Sequence, residues 1–303
     1  MNLPTSIEIT EVGPRDGLQN QSSVIPTDTK IAYVDALSKT GLQRIEVSSF
    51  VNPKWVPQLA DADAVFSGIV RFENVKYTAL VPNKRGLDRA MDVGVDEIGL
   101  MTSASESFSS HNVNATIADS IERMKPLVES AIASGVGVRG YVSCIVACPY
   151  EGEIDAGQVR NIVEQLLDIG VEDISLGETI GVVVPTDIAR IYDALDGVLS
   201  PEQSVLHLHD TRGTALACVL FAMQLGVRRF DASSGGLGGC PYAPGAAGNL
   251  ATEDLVYFAE RMGIDTGVDL EQLVSATRII EASVGSSLCG RTYSASSCQD
   301  PSS

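Results

Sequence analysis

Three histidines occur in the 303-residue chain, and two of them, His207 and His209, form the stretch HLHD on a run that reads as a β-strand. Side chains at positions i and i+2 of a strand leave on the same face, so both imidazoles would reach one point in space. That spacing suits two nitrogen ligands of a single metal ion; a hydrogen-bonded pair in the core is the alternative. Arg15 and Asp16 sit in GPRDG directly after the first predicted strand, and Asn249 closes the stretch GGLGGCPYAPGAAGN, residues 235–249. Together Asp16 and Asn249 would add two oxygens to the two nitrogens. Such a set without a thiolate favours Mg²⁺ or Mn²⁺ and would also accept Zn²⁺ or Co²⁺. Beside a metal ligand, Arg15 is suited to stabilise a developing oxyanion or enolate; alone it would read as a salt-bridged turn. Glu46 on the second predicted strand and Glu178 at the end of the sixth are further carboxylates at strand ends.

These residues are far apart in sequence, so the elements that carry them must bring them together. Eight strand-like runs recur, at 6–12, 44–50, 75–81, 97–103, 138–146, 173–179, 205–210 and 228–234. Between them lie helical patterns beginning at Thr27, Ile117, Gln158 and Thr214, with apolar residues at three- and four-residue steps. Gly41, Gly94, Gly170 and Gly226 each stand just before a strand, where a left-handed cap would end a helix. Alternation over the whole length predicts an α/β fold, a (β/α)8 TIM barrel with additional C-terminal helices at 252–263 and 269–285. An open doubly wound sheet fits less well, because no GxGxxG follows the first strand. No shift of composition splits the chain, which predicts one catalytic domain over residues 1–286 and a small, polar tail of little order over 287–303. In a barrel of this type the site is built at the carboxyl ends of the strands, which is where the named residues fall.

Composition narrows the partners. With 44% hydrophobic and 20% charged residues the chain is ordinary for a globular protein, which argues against disorder. A formal charge of −18 argues against nucleic acid or an anionic membrane surface as partner. An anionic small molecule would need positive charge supplied inside a cleft. Six cysteines without regular spacing read as reduced thiols; Cys144 and Cys148, in CIVAC, lack a second pair to make a zinc knuckle. The first residues carry no leader pattern and no run is long and apolar enough to span a bilayer, so the expected location is the cytoplasm.

The motifs EVGPRDGLQN, IEVSSFVNPKWVPQLAD, RGYVSCIVACPYEG, SLGETIG, HLHDTRG and GGLGGCPYAPGAAGNLATED occur in that order from residue 11 to residue 254. In this the chain resembles the 3-hydroxy-3-methylglutaryl-CoA lyase family over nearly the whole barrel, and the glycine–cysteine block is the most specific part. The resemblance implies a metal-dependent retro-Claisen cleavage giving acetyl-CoA and acetoacetate. It implies Asp16, His207, His209 and Asn249 as metal ligands, Arg15 against the thioester enolate, Glu46 in support and Cys240 as the catalytic thiol. The glycines around Cys240 would then let the loop close over the substrate and exclude water; the alternative is a small buried residue in a tight loop. Lys54, Lys84 and Arg85 follow predicted strands and are candidates for the CoA phosphates, or else solvated residues at helix starts.

Four positions depart from the family pattern: Glu178 where many members have Asp, Gln21 where they often have Glu, Arg212 where animal enzymes have Tyr, and His111 in a region often filled by lysines. The departures leave open a sibling lyase acting on another 3-hydroxyacyl-CoA. A condensing synthase of the isopropylmalate or homocitrate type shares the metal set, but usually carries a long C-terminal regulatory region. A barrel that binds acyl-CoA only as a sensor is a third reading. A homodimer or larger homo-oligomer is expected.

Overall fold

The structure is a computed structural model and describes residues 2–238, 248–285 and 287–297. Ten strands are present in these residues: β1 (Glu8–Glu11), β2 (Arg44–Ser49), β3 (Lys76–Leu80), β4 (Glu97–Ser103), β5 (Gly137–Ser143), β6 (Ala147–Cys148), β7 (Gly152–Glu153), β8 (Asp173–Gly177), β9 (Ser204–His207) and β10 (Arg229–Ala232). The two shortest, β6 and β7, make a small antiparallel hairpin. The other eight close into a parallel barrel in the order β1, β10, β9, β8, β5, β4, β3, β2. Helices α1 (Thr27–Leu37), α2 (Ala62–Gly68), α3 (Lys84–Asp92), α4 (Glu106–Val113), α5 (Ile117–Ala133), α6 (Ala156–Asp168), α7 (Pro185–Ala194) and α8 (Ala215–Leu225) lie between the strands. Three more, α9 (Thr252–Arg261), α10 (Leu270–Val284) and α11 (Arg291–Ser297), follow the last strand. This is the (β/α)8 barrel expected from the alternation.

The expected helix stops form at glycine. Gly226 caps α8 with φ of +110°, and its N–H bonds back to Met223 before the chain enters β10. A side chain there would meet the left-handed penalty that glycine escapes.

Alternation along the strands divides their side chains into two sets. Ile9, Ile45, Ile98, Val142, Ile174, Leu206 and Phe230 are buried in the apolar layer shared with the helices. The other face points into the barrel and is polar over much of its depth. Arg44 on β2 reaches Glu97 at 2.9 Å and Asp173 at 2.7 Å. Arg139 on β5 reaches Asp231 on β10 at 2.9 Å and Thr10 on β1 at 3.2 Å. Bonds between strands that are not neighbours must cross the interior, so an ion-pair lattice fills the space that branched apolar residues usually fill. Every charge in it is paired, the condition under which buried ions are tolerated.

Two regions differ from expectation. The seventh barrel strand ends at His207 rather than at 210, because Leu208–Asp210 leaves the barrel ladder to pair with the chain around Asn249: Leu250 N–H donates to Leu208 O at 3.0 Å and Asp210 N–H to Gly248 O at 2.8 Å. Within residues 287–297, read from sequence as tail, α11 is folded against α9. The Asp254 carboxylate accepts the N–H groups of Arg291 and Thr292 at its start, and Tyr293 is buried. A short polar helix of this kind is held by its cap and one aromatic side chain, which periodicity does not reveal.

Candidate active site

At the carboxyl ends of the barrel strands opens a cleft of about 330 Å³. Arg15, Asp16, His207, His209 and Gly238 are among the residues that line it, and Val56, Met101 and Phe108 are apolar members of the same lining. No helix among the described residues is long and apolar enough to cross a membrane.

Arg15 and Asp16 are placed by the backbone just after β1. Val12 O accepts from Asp16 N–H at 2.8 Å and from Gly17 N–H at 3.2 Å, a five-residue step that winds GPRDG into one wide π-helical turn. Such turns are infrequent and common at functional sites. Arg15 is buried, with Nε donating to Glu46 Oε2 at 2.6 Å and Nη1 to Asp16 Oδ1 at 2.6 Å. Its guanidinium also lies 5.6 Å from the Tyr141 ring centroid, and the Tyr141 hydroxyl donates to Glu46 Oε1 at 3.0 Å. Glu46 is fully buried; burial holds its carboxyl above the usual range although Arg15 pulls it down. For Asp16 the balance is reversed. Burial would raise it, but Arg15, His207 and the Asn249 hydrogen bond hold it below the usual carboxylate range, so it is an anion at neutral pH.

One donor atom each from Asp16, His207 and His209 lie within 4.8 Å of one another. Their ring centroids place His207 and His209 5.5 Å apart, so the i, i+2 spacing does bring both imidazoles to one side. Asn249 joins them from beyond β10: its Nδ2 donates to Asp16 Oδ2 at 2.8 Å and to Leu237 O at 3.0 Å. Its Oδ1 is buried and has no hydrogen-bond partner, and the same is true of His209 Nδ1. Buried polar atoms are rarely left unpaired, and although five others are unpaired among the described residues, these two stand beside the Asp16 carboxylate, where one further partner could serve them. Burial and the neighbouring His207 lower His209 to about 4, which keeps its ring neutral and its lone pair free at neutral pH. A carboxylate, two imidazoles and an amide oxygen fit a divalent cation in chemistry and in spacing.

The structure brings together Arg15, Asp16, Glu46, His207, His209 and Asn249, and it leaves other candidates apart. Glu178 is buried but does not line the cleft. Its carboxylate accepts the N–H groups of Ile180 at 3.2 Å, Gly181 at 2.7 Å and Val182 at 3.2 Å, so it shapes the turn after β8. Arg212 holds the same turn from outside, donating to Ile180 O and Gly181 O at 3.0 Å. Lys54, Lys84 and Arg85 are exposed and outside the lining; Lys84 pairs with Asp88 at 2.7 Å. Cys240 lies outside the described residues. Gln21 donates to Gly17 O at 3.4 Å. His111 is exposed and stacks on Tyr150, with ring centroids 4.3 Å apart. Cys144 and Cys148 are buried, and Ser105 donates to Cys148 Sγ at 2.9 Å, an arrangement without metal-knuckle character.

Sequence reading missed Asp231, Arg139 and Tyr141. Asp231 Oδ2 stands 3.4 Å from His207 Nδ1, and the carboxylate is held by Arg139 at 2.9 Å and Ser175 at 2.8 Å. Burial would lower His207, but Asp231 and Asp16 hold it above its ordinary value. His207 Nδ1 faces Asp231 as an ion-pair contact without a formed hydrogen bond, which leaves Nε2 as the nitrogen for the cleft, an arrangement similar to that in which outer carboxylates orient imidazole ligands. The available signal was a charged residue inside a barrel strand, in VRGYVS and RRFDASS.

Comparison with known proteins follows this geometry. The HMGL-like family matches residues 6–280. The chain is 46% identical over 291 residues to the hydroxymethylglutaryl-CoA lyase YngG of Bacillus subtilis, covering 96% of this chain and 97% of that protein. It is also 46% identical over 287 residues to the 3-hydroxy-3-isohexenylglutaryl-CoA/hydroxy-methylglutaryl-CoA lyase of Pseudomonas aeruginosa, covering 95% of this chain and 96% of the other. Among solved structures, an HMG-CoA lyase from Acinetobacter baumannii in complex with coenzyme A and 3-methylmalate superposes with a TM-score of 0.91 at 40% identity, over 98% of this chain and 97% of that one.

Proposed function

The chain belongs to the HMGL-like family of carbon–carbon lyases, and from that premise we propose that it cleaves 3-hydroxy-3-methylglutaryl-CoA to acetyl-CoA and acetoacetate with a divalent cation held by Asp16, His207, His209 and Asn249. The observation that carries this reading is the convergence of Asp16, His207 and His209 donor atoms within 4.8 Å, with the orphaned Asn249 Oδ1 beside them. Mg²⁺ or Mn²⁺ suits the donor set best, with Zn²⁺ or Co²⁺ also compatible. When bound, the cation supplies charge that acidifies the substrate's tertiary hydroxyl and fixes its orientation.

Breaking the bond between C2 and C3 moves an electron pair onto the thioester carbonyl. Arg15 lines the cleft with its guanidinium locked by Glu46, Asp16 and the Tyr141 ring, so a donor to that oxygen is already in position. Asp231 orients His207. Cys240 keeps the role its motif gives it, as the thiol that meets the reacting carbon. Lys54, Lys84 and Arg85 remain candidates for the CoA phosphates, supported by their exposure after β2 and β3. Glu178 is placed to act on the site through the turn it holds and through its charge near His207. Buried free thiols at Cys144, Cys148 and Cys218 support a reducing, cytoplasmic setting. Assembly as a homodimer or larger homo-oligomer completes the reading.

A second reading is a longer substituent at C3. The apolar lining residues Val56, Met101 and Phe108 support it, as does the equal identity to the Pseudomonas relative.

The test is incubation of the purified chain with 3-hydroxy-3-methylglutaryl-CoA and Mg²⁺ or Mn²⁺, assayed for acetoacetate with EDTA as control. Acetoacetate that disappears with EDTA is expected. Turnover of a 3-hydroxyacyl-CoA with a longer C3 branch, without turnover of the methyl compound, would move the assignment to the second reading; cleavage unaffected by EDTA would remove the cation. Cys240→Ser is expected to leave metal binding intact and lower turnover strongly.

A further inference from the structure

The glycine-rich stretch leaves the barrel after β10 and returns before α9, and its two limbs run side by side at their base. Ser233 N–H donates to Leu250 O at 2.9 Å, and Thr252 N–H donates to Ser233 O at 3.1 Å. Beneath this base, and away from the cleft lining, Glu11 ends β1 with no exposure to solvent. Its Oε1 accepts from Gly13 N–H at 2.8 Å and from Ser234 N–H at 2.8 Å, while Oε2 accepts from the Thr252 hydroxyl at 2.7 Å. One carboxylate therefore touches the turn that carries Arg15 and Asp16, the outgoing limb that leads to Gly238, and the returning limb that carries Asn249.

A second buried carboxylate, Glu253, repeats the pattern one layer out. It accepts from Gly235 N–H at 2.7 Å and from the Thr277 hydroxyl at 2.6 Å, and so ties the outgoing limb to α10. Tyr33 on α1 hydrogen-bonds Ser234 between them. Space here is closed: a Cβ on Gly13 would lie 2.5 Å from both Glu11 Oε1 and the Tyr33 hydroxyl. Burying two glutamates without a cation partner is costly, and the donors they collect are backbone N–H groups of the arginine–aspartate turn and the outgoing limb, with hydroxyls from Thr252 and Thr277. Neither glutamate is needed for barrel closure, since the β1 ladder is made by backbone groups.

We propose that Glu11 is a positioning residue that sets Asp16 and Asn249 at their mutual distance by fixing both limbs of the glycine-rich stretch to the arginine–aspartate turn, with Glu253 holding the outgoing limb in support. This rests on the reading of those two residues as ligands of one cation. Removing Glu11 lets the turn and the returning limb drift independently, and a donor set spread by a fraction of an ångström binds the cation less well.

The experiment compares wild type, Glu11→Ala, Glu11→Gln and Leu195→Ala, the last a buried core change remote from the cleft. Mn²⁺ affinity is measured by calorimetry, amide hydrogen exchange is followed at Gly13 and Ser234, and kcat and KM are determined. Glu11→Ala is expected to weaken Mn²⁺ binding by roughly 10-fold or more, to speed exchange at both amides, and to lower kcat more than it raises KM. Glu11→Gln keeps an oxygen for the two backbone donors and is expected to restore most of each loss. Leu195→Ala is expected to lower Tm without changing Mn²⁺ affinity. Wild-type Mn²⁺ affinity in Glu11→Ala, or a loss no greater than in Leu195→Ala at equal Tm, would overturn the proposal. Should Glu11→Ala fail to fold, Thr252→Val removes the single side-chain donor to Oε2 and carries the same expectation at smaller size. If wild type binds Mn²⁺ but leaves 3-hydroxy-3-methylglutaryl-CoA intact, the proposed reaction fails while affinity and exchange still decide the role of Glu11.

Discussion

Asp231 on β10 places a carboxylate oxygen 3.4 Å from the Nδ1 of His207 on β9, and Asp231 is itself anchored by Arg139 and Ser175. The pair turns the ion lattice of the barrel interior into a support for the cleft: a charge paired below faces an imidazole of the proposed cation site above. Asp231→Asn keeps the shape but removes the charge that holds His207 above its ordinary pKa. Mn²⁺ affinity is expected to fall roughly 10- to 100-fold, as for other outer partners of metal-bound imidazoles. Calorimetric titration checks it; unchanged affinity would make Asp231 a partner of Arg139 alone.

Arg15 joins two carboxylates through different nitrogens, Nε to Glu46 and Nη1 to Asp16, each at 2.6 Å. A lysine at that place has a single donor nitrogen and no planar fork, so it cannot hold Glu46 and Asp16 in their present geometry and also keep a separate N–H aimed into the cleft. Arg15→Lys is therefore expected to lower kcat by roughly 10²- to 10³-fold, the usual cost of losing a donor to a developing oxyanion. Steady-state kinetics with the Mn²⁺-loaded protein measures this. A variant within a few-fold of wild type would take Arg15 out of the reaction.

The parts of this architecture written in local spacing were legible in the sequence. His207, the last residue of β9, and His209, bridged to Asn249 just beyond it, stay within reach of one point as their i, i+2 spacing predicts, and Gly226 stops α8 because only glycine takes its φ of +110° without strain. What was hidden depends on partners distant in the chain. Glu178 reads as a carboxylate at a strand end, and the structure adds that it accepts from three backbone N–H groups within four residues, a local turn contact that its strand position does not announce. Asp231 and Arg139, 92 positions apart, meet across the barrel, and no pattern of period two distinguishes an inward charge with a partner from an outward one in water. Glu11 sits in EITEV as an ordinary strand residue, and its three donors come from three segments of which two are more than two hundred residues away. The π-helical turn that presents Arg15 and Asp16 was equally invisible, since its cause is one carbonyl, Val12 O, shared by several N–H groups.

Stability should fall with rising pH through neutrality because of the two carboxyls under the glycine-rich stretch. Burial, opposed by the Thr252 hydrogen bond, pushes Glu11 up to about 8, and burial, opposed by Thr277, pushes Glu253 up to about 7. Glu253 raises Glu11 further and Asp254 raises Glu253, while Ser234 and Gly235 donate to the two carboxyls in partial compensation. In the unfolded chain both titrate near 4.5, so between about 4.5 and 8 the folded protein binds more protons than the unfolded one. Their contribution is fully present below 4.5 and is lost as pH rises through 7 to 8. Tm is expected to decline over that interval, and the decline is expected to be shallower in Glu11→Gln, which has no proton to lose there. Thermal unfolding across pH 5 to 9 with all other conditions fixed is the measurement; equal slopes for both proteins would mean that Glu11 is already ionised at neutral pH.

Gly238 offers the sharpest separation of backbone strain from damage to the proposed metal site. It has a φ of +99°, and a Cβ built there would lie 2.6 Å from Asn249 Nδ2 and 3.3 Å from Gly17 Cα. The near atom belongs to the side chain that joins Asn249 to Asp16, and the backbone of Gly17 blocks retreat on the other side. Gly94 is the control: its φ is +68°, but nothing lies within 4 Å of its Cβ position. Gly94→Ala therefore meets only the left-handed penalty, roughly 1–2 kcal/mol, and is expected to lower Tm with Mn²⁺ affinity and turnover intact. Gly238→Ala meets a comparable penalty and must also displace the Asn249 amide, breaking the 2.8 Å bond to Asp16. Mn²⁺ binding is expected to drop by about an order of magnitude or more, with turnover falling alongside it. If both alanine variants lose stability equally and neither loses Mn²⁺ affinity, Asn249 tolerates displacement and its oxygen is not a ligand.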